Sequence, residues 1–502
     1  MATVVNQLVL EPDALARVLA PRNDVVTEAA HGDGRFTAVA GPFSSYSRAV
    51  DVEPEPDGRS RVTETTRFRL AIPVWGLLFV WPYKRELRRL EGRDRGRHPF
   101  WAPPDRMDAR ASSVLGLLCT VSIVAGYLGT LLTQTITFAA DEFNSSDTAQ
   151  STTLAAVRVG VLLSLVLVAT ADRRGRRRLL IGSAVGGCVV AATGAFAPNL
   201  WALGTSQALA RGLSATLVIL ITIVAAEEMP AGSRAYAISV MTMTGALGAG
   251  MALWALPLAD LDERGWRILY LIPLLGLPLV LFVGRRLPES LRFVRPHLDT
   301  PVVTGHGRRL WVLAAAFFLI SAFGAPATQL LNEFLRDERG FSAARISLFT
   351  VATSTPAVVG LVVGGRVSDV RGRRAVVVLG VVGGSLLTVA AFSSVGWPMW
   401  AWNLSGTVLA AAASPALGMY GPELFPTGSR GRANGIIQVV SVAGSAVGLV
   451  AAGVISDRTG TLTRAMQVLL VGPLIVGALV VFLFPETARR ELEDLNPEDR
   501  LA

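Results

Sequence analysis

The sequence predicts an all-α membrane protein with twelve transmembrane helices in two six-helix bundles, preceded by a small soluble α+β domain. Two observations support this prediction. The 502-residue chain is 51% hydrophobic and only 17% charged, with a mean hydropathy of +0.47, so it is too apolar for an ordinary soluble protein. In addition, several charged landmarks recur at one spacing, which indicates that half of a membrane protein was copied with both copies facing the same way.

The recurring landmarks lie in the gaps between apolar runs. A charged turn with an acid, a glycine and several arginines follows one run at 171–178 and returns at 368–374. Glycine allows the chain to reverse there, and the arginines suit anionic headgroups. Three pairs stand 196 or 197 positions apart: Asp172 with Asp369, Pro230 with Pro426, and Pro288 with Pro485. A shared spacing for three motifs is evidence of internal duplication.

Residues 1–108 form a separate unit by composition. The start of the chain lacks a basic segment followed by an apolar one, so we expect no cleavable signal peptide and a cytosolic N-terminus. The residue pattern predicts a short helix and an antiparallel hairpin in this unit. The helix is expected at Glu11–Arg22, and the strands at 36–52 and 60–73 around a turn at 54–58.

The apolar segment at 72–83 has two interpretations. It is too short to cross a membrane, which takes about 20 residues. It runs directly into four basic residues: Lys84, Arg85, Arg88 and Arg89. One interpretation is an interfacial helix with aromatic residues at headgroup depth and basic residues on anionic lipid. The other is a core helix of the small domain.

Twelve apolar runs follow, and they are long enough to cross a bilayer. They are 111–140, 149–171, 179–197, 200–226, 235–257, 267–284, 310–332, 346–366, 375–395, 398–420, 433–455 and 465–484. Twelve spans return the C-terminus to the cytosol. The gaps expected to be cytosolic contain more than twice as many arginines as the outer gaps, in agreement with the positive-inside rule. We therefore expect a multi-pass plasma-membrane protein with both termini cytoplasmic.

The expected domain boundaries follow from these runs. They are a soluble module with its linker at 1–108, an N-terminal bundle at 109–290, a cytosolic connector at 291–309, a C-terminal bundle at 310–490 and a cytosolic tail at 491–502. The net charge of +9 comes almost wholly from arginine, since Lys84 is the only lysine. Because these arginines cluster between apolar runs, they indicate membrane topology and not a nucleic-acid partner.

The sequence gives no support to enzyme chemistry. All four histidines lie outside the predicted spans, so no buried histidine relay or metal site is expected: His31, His98, His297 and His306. Cys119 and Cys188 lie inside apolar runs and indicate packing, not a disulfide framework. The only lysine follows Tyr83 and not glycine, so there is no P-loop. We expect neither an enzyme nor a cofactor.

The two charged turns resemble the signature loop of the major facilitator superfamily, which follows the second and eighth spans of that family. The residues that carry this resemblance are Asp172, Gly175, Arg176 and Arg177 in the first half, and Gly365, Asp369, Gly372, Arg373 and Arg374 in the second. The loops at 288–290, 426–431 and 485–487 resemble those of its sugar-porter and metabolite–proton symporter branches. The resemblance covers about residues 111–490.

The sequence departs from the family pattern at three places. Val168 stands where the first signature loop usually has glycine, and we expect looser helix packing there. The fifth span has Gly245, Gly248 and Gly250 but no Gly-Pro pair, so it lacks the signature of drug–proton antiporters. No acid lies in the first span, where many proton symporters of this type have one.

The resemblance implies transport by two bundles that rock about a central site. Asp172 and Asp369 would then hold the inner face closed by meeting basic groups or a helix N-terminus of the other bundle. The other expected members of this gate are Arg176, Glu227, Arg234, Arg373, Glu423 and Arg430. The alternative is that these charges only set the topology.

Two arginines lie deep inside predicted spans. Arg158 in the second span and Arg211 in the fourth both lie roughly 15 Å from the outer end, at about 1.5 Å per residue. A charge at that depth is costly unless it serves a cavity, and no acid lies at the same depth. A carboxylate or phosphate would meet a guanidinium bidentately, so we expect an anionic substrate. Alternatively, one arginine contacts helix carbonyls or lines water.

Five amides in apolar spans are further candidates for substrate binding: Gln134, Gln207, Gln329, Asn403 and Gln438. Each could equally bridge two helices. The expected function is secondary-active transport of a small organic solute by a monomer in the lipid bilayer, with an organic anion coupled to protons as the first expectation. The alternatives are efflux of a drug or metabolite, and a transceptor or sensor whose N-terminal module signals.

Overall fold

A computed structural model gives the fold and describes residues 1–57, 59–89, 99–145, 147–294 and 306–499. The chain forms two compact units, one of Met1–Leu118 with Glu228–Ser233 and one of Cys119–Glu227 with Arg234–Ala502. Several predicted features lie outside the described residues: His98, His297, most of the connector at 291–309, part of the linker and the last residues of the tail.

The first unit contains a five-stranded antiparallel sheet in the order β1-β5-β4-β3-β2. Its strands are β1 Ala2–Leu10, β2 Thr27–Ala30, β3 Arg35–Ala40, β4 Phe43–Pro54 and β5 Ser60–Leu70. The helix α1 is Pro12–Leu19, which lies within the range predicted for it. β4 and β5 form the predicted hairpin. The strand predicted at 36–52 is two strands, because the chain turns at Gly41, whose φ of +142° favours glycine.

The apolar core of this unit lies between the sheet and a second helix, α2, Gly76–Arg88. Tyr83 of α2 packs edge-on against Phe43 with ring centroids 5.5 Å apart, and Phe43 packs edge-on against Phe68 at 5.7 Å. Leu87 is also fully buried there. One face of α2 is therefore a core face, as one of the two interpretations of this segment predicted.

A group of buried charges connects three strands of the sheet. Arg48 on β4 pairs with Glu28 on β2 at 2.6 Å and with Glu64 on β5 at 3.2 Å, and all three side chains are buried. Tyr46 donates a hydrogen bond of 2.6 Å to Glu28. Burial and then the Glu28 carboxylate raise the pKa of Tyr46. Because every charge has a partner, this group serves the structure of the module.

The remaining helices follow in chain order. Those of the N-terminal bundle are α3 Ala109–Glu142, α4 Asp147–Val159, α5 Val161–Arg174, α6 Arg176–Thr193, α7 Leu200–Glu228, α8 Arg234–Trp254, α9 Trp266–Leu275, α10 Leu277–Arg286 and α11 Leu291–Val294. Those of the C-terminal bundle and tail are α12 Gly307–Gln329, α13 Leu331–Glu333, α14 Ala343–Ser354, α15 Ala357–Arg371, α16 Arg373–Val378, α17 Gly384–Ser393, α18 Trp397–Leu424, α19 Arg430–Thr459, α20 Leu462–Leu469, α21 Val471–Leu483 and α22 Leu492–Leu495.

Twelve transmembrane segments in two bundles account for these helices, as the sequence predicted. Within the described residues, ten helical segments are long and apolar enough to cross a membrane by composition. The predicted span at 149–171 consists of two shorter helices, α4 and α5, that meet at Gly160. The predicted span at 398–420 is α18, which is a continuous helix of 28 residues. The sequence therefore predicted the number of transmembrane segments correctly, but it did not predict the break at Gly160.

Glycines allow helices of the same bundle to pack closely. A Cβ atom at Gly126 of α3 or Gly248 of α8 would overlap the backbone of the facing helix. Gly444 and Gly448 of α19 face the backbone of α12 in the same way. Small residues at helix crossings are typical of packing within membranes. Gly248 and Gly444 stand 196 positions apart, so the duplication extends to the way the helices cross.

Candidate functional site

Two glycine turns place the charged residues of the signature loops at helix ends. Gly175 lies between α5 and α6 with a φ of +100°, and Gly372 lies between α15 and α16 with a φ of +106°. Both angles are in the left-handed region, which only glycine adopts easily. The predicted chain reversals are therefore confirmed. Asp172 and Asp369 lie in the last turns before them and are buried.

Each aspartate accepts hydrogen bonds from the first turn of a helix in the other bundle. Asp172 accepts from the backbone N–H groups of Gly431 and Arg432 in α19, at 3.1 Å each. Asp369 accepts from Ala235 at 3.2 Å and from Tyr236 at 2.8 Å in α8. The first N–H groups of a helix lack partners within it and carry the positive end of the helix dipole, so a carboxylate stabilises them.

Beside each aspartate, a buried glutamate lies between two arginines. Glu227 is 2.5 Å from Arg430 of the other bundle and 3.4 Å from Arg176 of its own. In the second half, Glu423 is 3.4 Å from Arg234 of the other bundle and pairs with Arg373 of its own. We call these six residues, together with Asp172 and Asp369, the interbundle cluster. All eight predicted gating residues thus lie in two matching groups.

The bundles contact each other through the helices that carry this cluster, namely α5 against α19 and α8 against α15 and α18. The looser packing expected at Val168 does not occur. Val168 is fully buried, and a Cβ atom at the facing Gly431 would lie 2.8 Å from its Cγ1 atom. In the second half the glycine is Gly365, and it faces Ala235 and Ser239. The glycine that permits the close approach lies on α19 in the first half and on α15 in the second. Both halves therefore have the same close contact between bundles.

Sequence reasoning assigned no role to two acids of the Pro-Glu landmarks. Glu289 accepts hydrogen bonds from the backbone N–H groups of Arg176 at 2.9 Å and Arg177 at 3.1 Å. Glu486 accepts from those of Arg373 at 2.9 Å and Arg374 at 3.2 Å. Each acid therefore caps the helix that follows a glycine turn in its own half. Their shared spacing of 197 was the available signal.

The pKa of Glu486 reflects this capping role. Burial of the side chain opposes ionisation, but hydrogen bonds from the backbone N–H groups of Arg373, Ala488 and Arg374, together with the nearby Arg373 charge, outweigh it. The net effect holds the pKa of this carboxyl below its ordinary value of 4.5.

The C-terminal tail also contacts the interbundle cluster. Asp499 is 3.1 Å from Arg430, and it accepts a hydrogen bond of 2.8 Å from the backbone N–H of Thr427. Glu491 is 3.4 Å from Arg234. The sequence predicts only a cytosolic tail here, because acidic residues near the end of the given chain give no signal of where they bind.

A cavity of about 500 Å³ lies in the N-terminal bundle, and Gln438 of α19 also lines it. Its polar lining includes Ser122, Thr130, Arg211, Ser214, Thr242 and Gln438. Every lining residue except Gln438 belongs to the N-terminal bundle, and none of the described lining residues is acidic. Arg211 is exposed to this cavity and donates one hydrogen bond of 2.7 Å to the Gly129 carbonyl. The cavity thus brings together two of the predicted substrate residues.

The other predicted substrate residues lie elsewhere. Arg158 donates a hydrogen bond of 3.0 Å to the Gln329 side chain, which joins α4 to α12 of the other bundle. Gln207 is buried and donates to the Ala191 carbonyl of α6 at 3.3 Å. Asn403 is buried and donates to Thr353 of α14 at 2.8 Å. Gln134 is half-buried in α3. Their roles in substrate binding stay predictions.

We also looked for side chains that could bind a metal ion or take part in redox chemistry. Within the described parts of the chain, no group of three or more His, Cys, Asp or Glu side chains is arranged to hold a metal ion. Cys119 and Cys188 are buried free thiols. His31 and His306 lie outside the membrane helices.

The fold and the two signature turns define a class of membrane transporters. The family model described as Major Facilitator Superfamily matches residues 117–343 and 312–500, which is more than half of the chain. The chain therefore belongs to the Major Facilitator Superfamily, and it is a multi-pass membrane transporter and not an enzyme.

Comparison with characterised proteins gives partial matches. The chain is 26% identical over 278 residues to the gentisate transporter of Corynebacterium glutamicum, covering 51% of this chain and 61% of the relative. It is 33% identical over 158 residues to the puromycin resistance protein pur8 of Streptomyces alboniger, covering 30% of this chain and 31% of the relative. The matches thus span less than two thirds of these relatives.

Solved structures share the fold of this chain. The proton:xylose symporter XylE bound to 6-bromo-6-deoxy-D-glucose matches with a TM-score of 0.66 and 16% identity, covering 78% of this chain and 99% of that one. The human organic anion transporter MFSD10 matches with a TM-score of 0.61 and 16% identity, covering 76% of this chain and all of that one. These likenesses show the fold alone.

Proposed function

We propose that this transporter moves a small organic anion by alternating access, with proton coupling as its energy source. The observation that supports the proposal is the guanidinium of Arg211, exposed in a cavity of about 500 Å³ whose described lining has no acid. A guanidinium has five N–H donors, and the Gly129 carbonyl accepts from only one nitrogen. A carboxylate or phosphate would use the donors that remain.

The rest of the cavity favours a small polar molecule. Its volume falls within the usual range for small-ligand sites. Ser214 and Thr242 donate their hydroxyl protons to the carbonyls of Ala125 and Ile238, so their oxygens would accept hydrogen bonds from donor groups of the substrate. The name of one characterised relative, the gentisate transporter of Corynebacterium glutamicum, specifies an organic anion, and it supports the anion proposal.

The interbundle cluster serves in this proposal as the inner gate. Both termini would be cytoplasmic in the plasma membrane, so the cluster would close the cytosolic side while the cavity faces outward. Opening that side requires Asp172 and Asp369 to leave the helix N-termini and Glu227 and Glu423 to leave the opposite arginines. The proposed boundaries remain a module at 1–108, bundles at 109–290 and 310–490, a connector at 291–309 and a tail at 491–502.

An anion panel tests the proposal on purified protein. We expect at least one organic anion to raise the melting temperature, and Arg211→Ala to weaken its affinity about tenfold or more, because a hydrogen bond to a charged group contributes about 1.5–3 kcal/mol. Arg464→Ala is the matched control, since Arg464 contacts Gln467 of its own helix. Stabilisation that survives Arg211→Ala unchanged would remove this residue from the site.

Flux measurements in proteoliposomes separate the anion proposal from two others. Uptake that ignores an imposed pH gradient would remove the proton coupling. Outward transport of drug-like compounds would favour efflux, which the similarity to the puromycin resistance protein supports. No flux with any anion would favour a sensor. The sensor alternative is supported by the segment Glu228–Ser233, which belongs to the N-terminal unit and continues along the chain into cluster residues Glu227 and Arg234.

A further inference from the structure

The proposed function does not use the exposed apolar face of α2 in the N-terminal unit. Leu77 is 86% exposed, Leu78 is 68% exposed and Trp81 is 67% exposed, although the opposite face of the same helix is buried in the module core. Three adjacent large apolar side chains at such exposure are unfavourable in water and indicate a contact surface.

The position of α2 relative to a membrane helix identifies what covers this face. The indole N–H of Trp75, just before α2, donates a hydrogen bond of 3.2 Å to the Gly116 carbonyl of α3. A Cβ atom at Gly116 would lie 3.2 Å from the Pro73 carbonyl, so the chain entering α2 also packs closely there. Gly116 is seven residues into α3, or about 10 Å along the first transmembrane helix. α2 therefore begins beside the end of a membrane span.

The charges on α2 match a lipid surface. Arg85 lies over the Trp81 ring at 5.8 Å, and Arg85 and Arg88 are both exposed. A helix with aromatic and aliphatic residues on one face and basic residues beside them lies in the interface plane, where the basic groups meet anionic headgroups. At 13 residues α2 is too short to cross the bilayer.

We propose that Leu77, Leu78 and Trp81 of α2 insert into the leaflet that α3 enters at its N-terminal end, with Arg85 and Arg88 on anionic lipid headgroups. The helix then has both of the roles that the sequence left open: one face is module core and the other is a membrane anchor. This inference does not depend on what the transporter carries.

Spin-label accessibility on the full-length protein in nanodiscs tests the insertion. Cys119 and Cys188 are first replaced by alanine, and a single cysteine is introduced as Leu78→Cys or, as the control, Val39→Cys. Val39 lies on β3 of the same unit and has the same exposure of 68%, whereas α2 packs on β1 and β5. We expect the label at 78 to collide mainly with oxygen, which partitions into lipid, and the label at 39 to collide mainly with a water-soluble nickel chelate.

Each other outcome contradicts the proposal. A label at 78 that behaves like the label at 39 means that the face is in water. A label protected from both reagents means that a protein or a second copy covers it.

A second experiment tests whether Arg85 and Arg88 lie on anionic headgroups. Nanodiscs of phosphatidylcholine alone are compared with nanodiscs that contain phosphatidylglycerol. We expect deeper insertion with phosphatidylglycerol and loss of that difference in the Arg85→Glu, Arg88→Glu variant; equal depth in both lipids would remove the anionic preference.

Discussion

At the scale of single residues, the contact between α5 and α19 shows how the duplicated halves keep close packing with different side chains. Val168 faces Gly431 in the first half, and Gly365 faces Ala235 in the second. Asp369 hydrogen-bonds the N–H of Ala235 even though Ala235 has a Cβ atom. A glycine is therefore needed on only one of the two facing helices.

This arrangement predicts that Val168→Gly restores stability lost through Gly431→Ala. Gly431→Ala should destabilise the protein by about 1–3 kcal/mol, because its Cβ atom would lie 2.8 Å from Val168 Cγ1 and 2.6 Å from the Asp172 carboxylate. Adding Val168→Gly should restore much of the loss, because it recreates the contact of the other half. Thermal unfolding of the two single variants and the double variant measures this coupling. Additive losses would show that the halves are not equivalent here.

A second prediction at this scale concerns pH. Capping lowers the pKa of Glu486, so the stabilisation it provides is complete above its ordinary pKa of 4.5 and is lost as pH falls through the lower folded value. The wild type should therefore melt at a higher temperature than Glu486→Gln near neutral pH, and the difference should shrink below about pH 4.5. An unchanged difference at acid pH would mean that the carboxylate charge does not stabilise α16. Glu498→Gln, on the tail, is the comparison variant.

The sequence identifies the charged residues of the cluster but does not rank the two arginines that lie deep inside predicted spans. Motif spacing was enough to identify Asp172 and Asp369 as candidate gate residues, since each follows a span and precedes a glycine turn. Arg158 and Arg211 have similar depth in the sequence, yet only Arg211 lines the cavity, because the rotation of each helix about its axis decides which side chain faces inward. The same is true of Gln438, which lines the cavity, and Gln207, which bridges helices.

At the scale of elements, the break between α4 and α5 lies at Gly160, where two backbone hydrogen bonds run to the third residue back: Gly160 donates to the Val157 carbonyl, and Leu163 donates to the Gly160 carbonyl. A Cβ atom at Gly160 would overlap the backbone of Ala208 in α7, but the same close approach at Gly126 and Gly248 leaves their helices continuous. The apolar run at 149–171 gives no sign of the local change at Gly160, and the sequence therefore predicted one continuous span. In the module, by contrast, the sequence itself contains a turn signal between β3 and β4. This signal is the Gly-Pro pair that begins at Gly41.

The segment Met229–Ser233 gives a prediction at the same scale. Asp105 accepts a hydrogen bond of 2.8 Å from the backbone N–H of Gly232, and Ser233 donates to the Asp105 carbonyl at 2.9 Å. Asp105→Ala should raise hydrogen exchange in this segment about tenfold or more, because a charge-assisted hydrogen bond is lost. Mass spectrometry of the corresponding peptide measures it, with Asp13→Ala on the exposed side of α1 as the control. Unchanged exchange would mean that other contacts fix the segment.

At the scale of the whole molecule, the repeat spacing together with the twelve apolar runs predicted the two-bundle part of the fold. Three landmarks separated by 196 or 197 residues require two copies of one bundle, and the structure has matching clusters at the two sites of contact. The tail could not be placed in this way, because Asp499 and Glu491 have no counterparts in a repeat. Their contacts depend on where the last span ends.

The symmetry of the cluster makes a prediction for the complete transporter. Asp172→Asn and Asp369→Asn should each weaken the contact between bundles by about 1–2 kcal/mol and to a similar extent, since each removes one carboxylate from a helix N-terminus. Hydrogen exchange at the starts of α19 and α8 measures the effect, and the exposed Asp337→Asn is the control. A large effect from only one of the two would show that one half alone keeps the face closed.

The cavity belongs almost entirely to one bundle, and among its described lining residues only Gln438 comes from the other. A cargo seated there would keep nearly all of its partners while the second bundle swings from one side to the other. The dissociation constants measured from the two sides of the membrane should then be nearly equal. In such a carrier the electrochemical gradients of the cargo and of the coupled proton, and not a difference in affinity, would decide the direction of net movement.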